Sequence, residues 1–202
     1  ALIISVASVQ AQKSQVIAHR GYWKTAGSAQ NSITSLQKAD SIHCYGSEFD
    51  VWLAKDNKLV VNHDPVYKMK YMEYSKGDAL TGLKLSNGEN LPSLQKYLEA
   101  GKKCNTKLIL ELKAHNSKKR ETKAVQEILA MVKKMGLEDR MEYITFSLHA
   151  MKEFIRLAPA GTPVFYLNGE LSPKELKDLG AAGLDYHMGA VSYTHLTLPT
   201  SD

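Results

Sequence analysis

Two cysteines in 202 residues are too few for a disulfide framework, so Cys44 and Cys104 are read as small core residues. No apolar run approaches the ~20 residues needed to cross a bilayer, which excludes an integral membrane segment from the mature chain. An aromatic-interleaved basic stripe is missing too. Lys and Arg outnumber Asp and Glu, 26 to 21, for a formal net charge of +5 and a pI near 9.0. Yet the cations sit in short clusters at Lys102-Lys103, Lys118-Lys119-Arg120 and Lys133-Lys134. Such clusters are expected of solvated helix faces, and nucleic acid is excluded as a partner. A modest positive field of this kind favours an anionic small substrate.

What is present is centred on residues 45–64, Tyr-Gly-Ser-Glu-Phe-Asp-Val-Trp-Leu-Ala-Lys-Asp-Asn-Lys-Leu-Val-Val-Asn-His-Asp. Apolar runs at 49–53 and 59–61 flank Asp56-Asn57, which predicts strand, tight turn, strand. Alternate strand residues share a face. Glu48 and Asp50 therefore point one way while Phe49 and Val51 point the other, and the second strand delivers His63 and Asp64 at its end. Two acids on one face of an edge strand would simply be solvated. Val51, Trp52, Leu53, Val60 and Val61 make these strands too apolar for that, and an unpaired buried charge is strongly unfavourable. A cation between the acids removes the penalty.

Strand and helix alternate along the rest of the chain. Strands are predicted at 16–18, 107–112, 143–146, 163–167 and 182–187. Helices are expected over 31–42, from Pro92-Ser93, over 122–135 to the stop at Gly136, and around Met151, Phe154 and Ile155. A further helix starts at Ser172-Pro173-Lys174-Glu175, a capping box with Pro at the first helical position. Residues 65–90 read as a polar, glycine-bearing insertion. Seven strands mostly separated by helices imply an α/β fold with a parallel sheet. Polar residues collect at the ends of several strands: His19, Glu48 with Asp50, His63, and Glu111 with Lys113. That distribution favours a TIM-type (β/α)8 barrel over a doubly wound sheet.

The two ends read differently from the middle. Residues 1–11 resemble the remnant of a secretory signal peptide, with Val9-Gln10-Ala11 as its cleavage triplet, which places the protein in the periplasm or outside the cell. The chain starts without Met or a basic n-region, as a clipped leader does. Residues 15–190 are expected to form the barrel domain, truncated after strand seven. Residues 191–202 lack helical periodicity and resemble translated vector sequence rather than a native end.

His19-Arg20-Gly21, Gln30-Asn31-Ser32, Glu48-Phe49-Asp50-Val51, Val60-Val61-Asn62-His63-Asp64, Pro92-Ser93-Leu94 and Glu111-Leu112-Lys113 stand in the order and approximate spacing of the glycerophosphodiester phosphodiesterase family. The resemblance covers roughly residues 16–187, and the joint pattern is specific although each tripeptide alone is weak. It implies a TIM-type barrel in which Glu48, Asp50 and Glu111 bind a divalent cation. It also implies that His19 and His63 serve as acid and base, and that Arg20 and Lys113 contact phosphate. One departure is Gln30, where many members carry Glu.

The residue types suit such chemistry on their own terms. A catalyst for phosphodiester cleavage must offset the anion's charge, activate a nucleophile and protonate a leaving alkoxide. Three carboxylates suit a hard cation such as Ca²⁺ or Mg²⁺, and imidazoles exchange protons near neutrality. His43, His115, His149 and His195 read as hydrogen-bonded structural imidazoles, while His187 is left open. The expected activity is metal-dependent hydrolysis of a glycerophosphodiester to glycerol 3-phosphate and an alcohol. The alternatives are a related barrel enzyme acting on lysophospholipids or another diester, and a non-catalytic glycerophosphodiester-binding envelope protein.

Overall fold

The computed structural model describes residues 15–184. The leader remnant expected over 1–11, the tail expected over 191–202, and His187 and His195 lie outside the described residues.

The elements run β1 (Ile17–Ala18), α1 (Ile33–Ser41), β2 (Gly46–Leu53), β3 (Leu59–Val61), β4 (Val66–Tyr67), β5 (Lys70–Tyr71), α2 (Gly77–Thr81) and α3 (Leu94–Gly101). They continue with β6 (Lys107–Leu112), α4 (Lys118–Met135), β7 (Met141–Thr145), α5 (Leu148–Leu157), β8 (Val164–Tyr166), α6 (Pro173–Asp178) and β9 (Gly183–Leu184). All seven expected strands join one sheet in the order β1-β2-β6-β7-β8-β9, with β3 attached to β2 outside that path. Neighbours along the path run parallel, with Asp50 opposite Glu111 in the β2–β6 register. The fold is that of a TIM-type α/β barrel.

β3 departs from the parallel pattern. It folds back on β2 as an antiparallel hairpin arm, Val51 opposite Val61, because the Asp56-Asn57 turn is too short for a crossover helix. His63 therefore leaves a hairpin arm rather than a strand of the parallel ring. Arg120, expected among solvated cations, secures this hairpin: its guanidinium donates to the carbonyls of Leu53 and Ala54 and to Asn57 Oδ1.

Five helices start at a serine whose hydroxyl accepts an amide from the first turn: Ser32, Ser93, Ser117, Ser147 and Ser172. These caps satisfy donors that the helix itself leaves free. Ser117 starts α4 four residues before the expected position. The first turn, Lys118-Lys119-Arg120-Glu121, has no apolar periodicity to reveal it. Gly136 ends α4 in the left-handed region at φ +66°.

Alternation divides the sheet into two surfaces. Phe49, Val51, Leu108, Leu110, Leu112 and Tyr143 pack outward against α3, α4 and α5 in the main core. Inside the barrel, Ile109, Ile144 and Leu167 cluster with Tyr45 and Phe165. Residues 65–90, expected as a polar insertion, have a core of their own. Met72, Leu80 and Leu85, joined by Leu91 just past the insertion, pack on Trp52, Val60 and Ala29. Cys44 and Cys104 are both free and buried.

Candidate active site

The site lies where the carboxyl ends of β1 and β6 flank the middle of β2. β1 runs straight into a tight turn at Arg20 (φ +59°) and Gly21 (φ +74°). The Gly21 amide donates to the Ala18 and Glu48 carbonyls, and a Cβ there would lie 2.3 Å from Ser35 Oγ. Only glycine fits this turn, which holds His19 and Arg20 over the end of β2.

Glu48, Asp50 and Glu111 each offer an oxygen, all within 4.8 Å of one another, and all three side chains are buried. Three carboxylates this close need compensation. Lys113 supplies part of it, its ammonium lying 2.7 Å from both Asp50 Oδ1 and Glu111 Oε1. The approach to Asp50 Oδ1 is off the hydrogen-bonding direction, so that oxygen has an ion-pair neighbour without a proper hydrogen bond. Asp50 Oδ2 accepts from Asn31 Nδ2 at 2.8 Å, and Asn31 Oδ1 accepts the Asp50 amide at 3.1 Å. Glu48 Oε2 accepts the Arg20 amide at 2.8 Å, but Glu48 Oε1 has no partner among the described residues.

These environments shift the protonation equilibria. Burial pushes the Glu48 carboxyl well above the usual carboxylate range, and the charge of Asp50 pushes the same way. Burial also raises Glu111, with Lys113 opposing it. Burial pulls Lys113 down, yet the attraction of Asp50 and Glu111 outweighs it and holds the ammonium charged. The donor set is all oxygen, over-charged and short of one partner at Glu48 Oε1. Its chemistry fits a hard divalent cation.

The imidazoles approach from the rim. His19 Nε2 lies 3.8 Å from Glu48 Oε2, with its side chain 68% exposed. Partial burial and then the Arg20 charge lower its pKa. His63 Nδ1 lies 2.8 Å from Asp64 Oδ1. A carboxylate only accepts, so Nδ1 is the donor of this pair. His19, Arg20, Glu48, His63, Glu111 and Lys113 all line one cavity of about 890 Å³ that opens into the barrel. All seven residues expected at the site are thus brought together.

Arg20 does not hang free. Its Nη1 donates to Gln30 Oε1 at 2.6 Å, and its Nε lies 3.9 Å from Asp50 Oδ2. Gln30 therefore receives the arginine through its neutral amide oxygen. Asn31 carries a role that the sequence reading did not assign: it clamps Asp50 from a left-handed backbone at φ +59°. Its signal was there, since Asn tolerates that region and stands directly before the Ser32 cap. His115 is structural, as expected. It accepts the Leu53 amide at Nε2 and donates from Nδ1 to the Lys113 carbonyl, and burial lowers its pKa to about 4. His149 is likewise paired, with Thr122 Oγ1 at 2.9 Å.

An α/β barrel with acids and imidazoles gathered on one cavity defines the class of protein. Residues 19–198 match the Glycerophosphoryl diester phosphodiesterase family, and the chain belongs to it. It is 55% identical to a glycerophosphodiester phosphodiesterase of known crystal structure from Parabacteroides distasonis ATCC 8503, with a TM-score of 0.85 over 87% of this chain and 74% of that one. An Oleispira antarctica phosphodiesterase, solved in complex with the product sn-glycerol-3-phosphate, shares the fold at 23% identity and a TM-score of 0.76, over 89% of this chain and 77% of that one. A glycerophosphodiester phosphodiesterase from Caldanaerobacter subterraneus is 27% identical over 161 residues, 73% of this chain and 64% of that protein. The chain spans less than two thirds of the length of the curated relatives it matches.

Proposed function

We propose that the protein hydrolyses glycerophosphodiesters to glycerol 3-phosphate and an alcohol, using a divalent cation held by Glu48, Asp50 and Glu111. The observation that carries this reading is the buried carboxylate triad within 4.8 Å, flanked by two imidazoles on one cavity. Family membership supports it, as does the product bound by the Oleispira relative. The leader-like stretch over 1–11 extends the reading to a periplasmic or secreted protein.

Calcium or magnesium in the triad would stabilise charge on the phosphoryl oxygens. The chain's own groups supply the rest. Lys113 and Arg20 place two fixed cations beside the triad and hold the diester's charge there. Asn31 keeps Asp50 from rotating. One imidazole accepts the proton of the attacking hydroxyl and the other donates to the leaving alkoxide. Asp64 orients His63 so that Nε2 is free for this exchange.

Turnover of glycerophosphodiesters tests the reading. Activity should fall on treatment with a chelator and return with Ca²⁺ or Mg²⁺. Undiminished turnover by metal-free protein would overturn the metal, and no turnover with either ion would overturn the activity.

A further inference from the structure

A second cleft of about 380 Å³ meets the catalytic cavity at His63, and Trp23, Lys24, Tyr67 and Ser86 are among the residues that line it. The two clefts differ in origin. The catalytic cavity is walled by barrel strands, whereas the second belongs to the β1–α1 loop and the 65–90 insertion. A diester has two arms, and a phosphorus held at the triad can send one into each cleft. The constant glycerol phosphate belongs with the strand-borne groups. The variable alcohol belongs with the loops.

The lining selects among alcohols. Its aromatic residues are Trp23 and Tyr67, and the faces of such rings are what cage an ammonium ligand. Here each ring already carries a cation: Lys24 Nζ lies 5.4 Å from the Trp23 ring centre, and Lys68 Nζ lies 5.7 Å from that of Tyr67. A cationic head group would have to displace these lysines or sit beside like charge. The one carboxylate of the lining, Asp64, is engaged by His63. Lys24 makes no ion pair among the described residues. The Ser86 hydroxyl, the Trp23 indole N–H and the Lys24 ammonium suit hydroxyl oxygens as partners.

Building on the proposed diesterase activity, we propose that this cleft is the leaving-group subsite and selects uncharged polyol head groups, of the glycerol or inositol kind, over choline and ethanolamine. Lys24 is the specificity-determining residue. It lies outside the metal and proton-transfer machinery.

Two readouts keep this inference separate from the activity itself. In the first, His19→Ala protein, made to suppress turnover, is titrated calorimetrically with glycerophosphoglycerol and with glycerophosphocholine. The polyol diester should bind about ten-fold more tightly, and Lys24→Glu in the same background should erase or reverse that ratio. In the second, wild-type protein with metal should show the same order in kcat/KM. Equal or tighter binding of the choline diester, or a ratio untouched by Lys24→Glu, overturns the subsite. Polyol preference in binding without turnover of any diester supports the subsite while overturning the catalytic reading.

Discussion

The two halves of the site are built on opposite principles. The carboxylate half stands on β2 and β6, the most heavily paired strands of the sheet, with Asp50 fully buried and Glu48 at 4% exposure. The imidazole half stands on turns. His19 follows the two-residue β1, and His63 leaves the β3 hairpin arm, with side chains 68% and 34% exposed. Metal ligands need fixed positions and a dry surrounding, which central strands provide. Proton carriers need access to solvent and substrate, which strand-end turns provide. The difference teaches that the triad is bound up with stability, while the two histidines are nearly independent of it.

Substitution of the imidazoles should break the comparison most sharply if it is wrong. His19→Ala and His63→Ala are each expected to slow turnover by roughly 10²-fold or more, the usual scale for acid–base groups, with no change in thermal midpoint. A parallel loss of stability and rate would place these histidines with the buried half.

His115 provides the contrasting case within one residue type. Its folded pKa, about 4, is depressed from 6.5 by burial. The unfolded chain therefore takes up this proton first as pH falls. The neutral imidazole's contribution is intact above pH 6.5 and lost between about 6.5 and 4, a change on the order of 3 kcal/mol. His115→Gln should flatten that limb in denaturant titrations across this range. An unchanged limb would remove His115 from the buried framework.

Asn31 joins the halves, since its loop follows the His19 turn while its side chain holds Asp50. Asn31→Ala is expected to weaken cation affinity by about 10–100-fold, as loss of an outer hydrogen bond to a ligand does. Unchanged affinity would show that Asp50 needs no clamp. The smallest effect is the most diagnostic. Glu48→Gln removes a buried, partly uncompensated charge, so metal-free protein should melt higher, by about 2–4 °C for each kcal/mol relieved. A lower midpoint would mean that the carboxylate stabilises the fold rather than straining it.

Much of the carboxylate half was legible in the sequence, because a period of two is local: Glu48 with Asp50 and Glu111 with Lys113 announce a shared face within three residues. What was not legible depends on contacts distant in the chain. Asn31 acquires its role only when α1 is docked against β2, 19 residues away. Arg120 looks like one cation of a solvated run, but it reaches carbonyls 66 and 67 positions earlier. The 65–90 insertion reads as polar because Met72, Leu80 and Leu85 fall at no regular spacing. Their burial comes from Trp52 and Val60, not from a pattern of their own. The hairpin turn was readable from Asp56-Asn57, yet the consequence that β3 leaves the parallel ring belongs to topology.

The central claim is that the buried triad is a cation site. Calorimetric titration of metal-stripped wild-type protein and of Glu48→Gln with Ca²⁺ and Mg²⁺ tests it most directly. One cation should bind per wild-type chain and raise the melting midpoint, and Glu48→Gln should bind at least about ten-fold more weakly. No saturable binding to the wild type, or equal affinity in the two proteins, would contradict it.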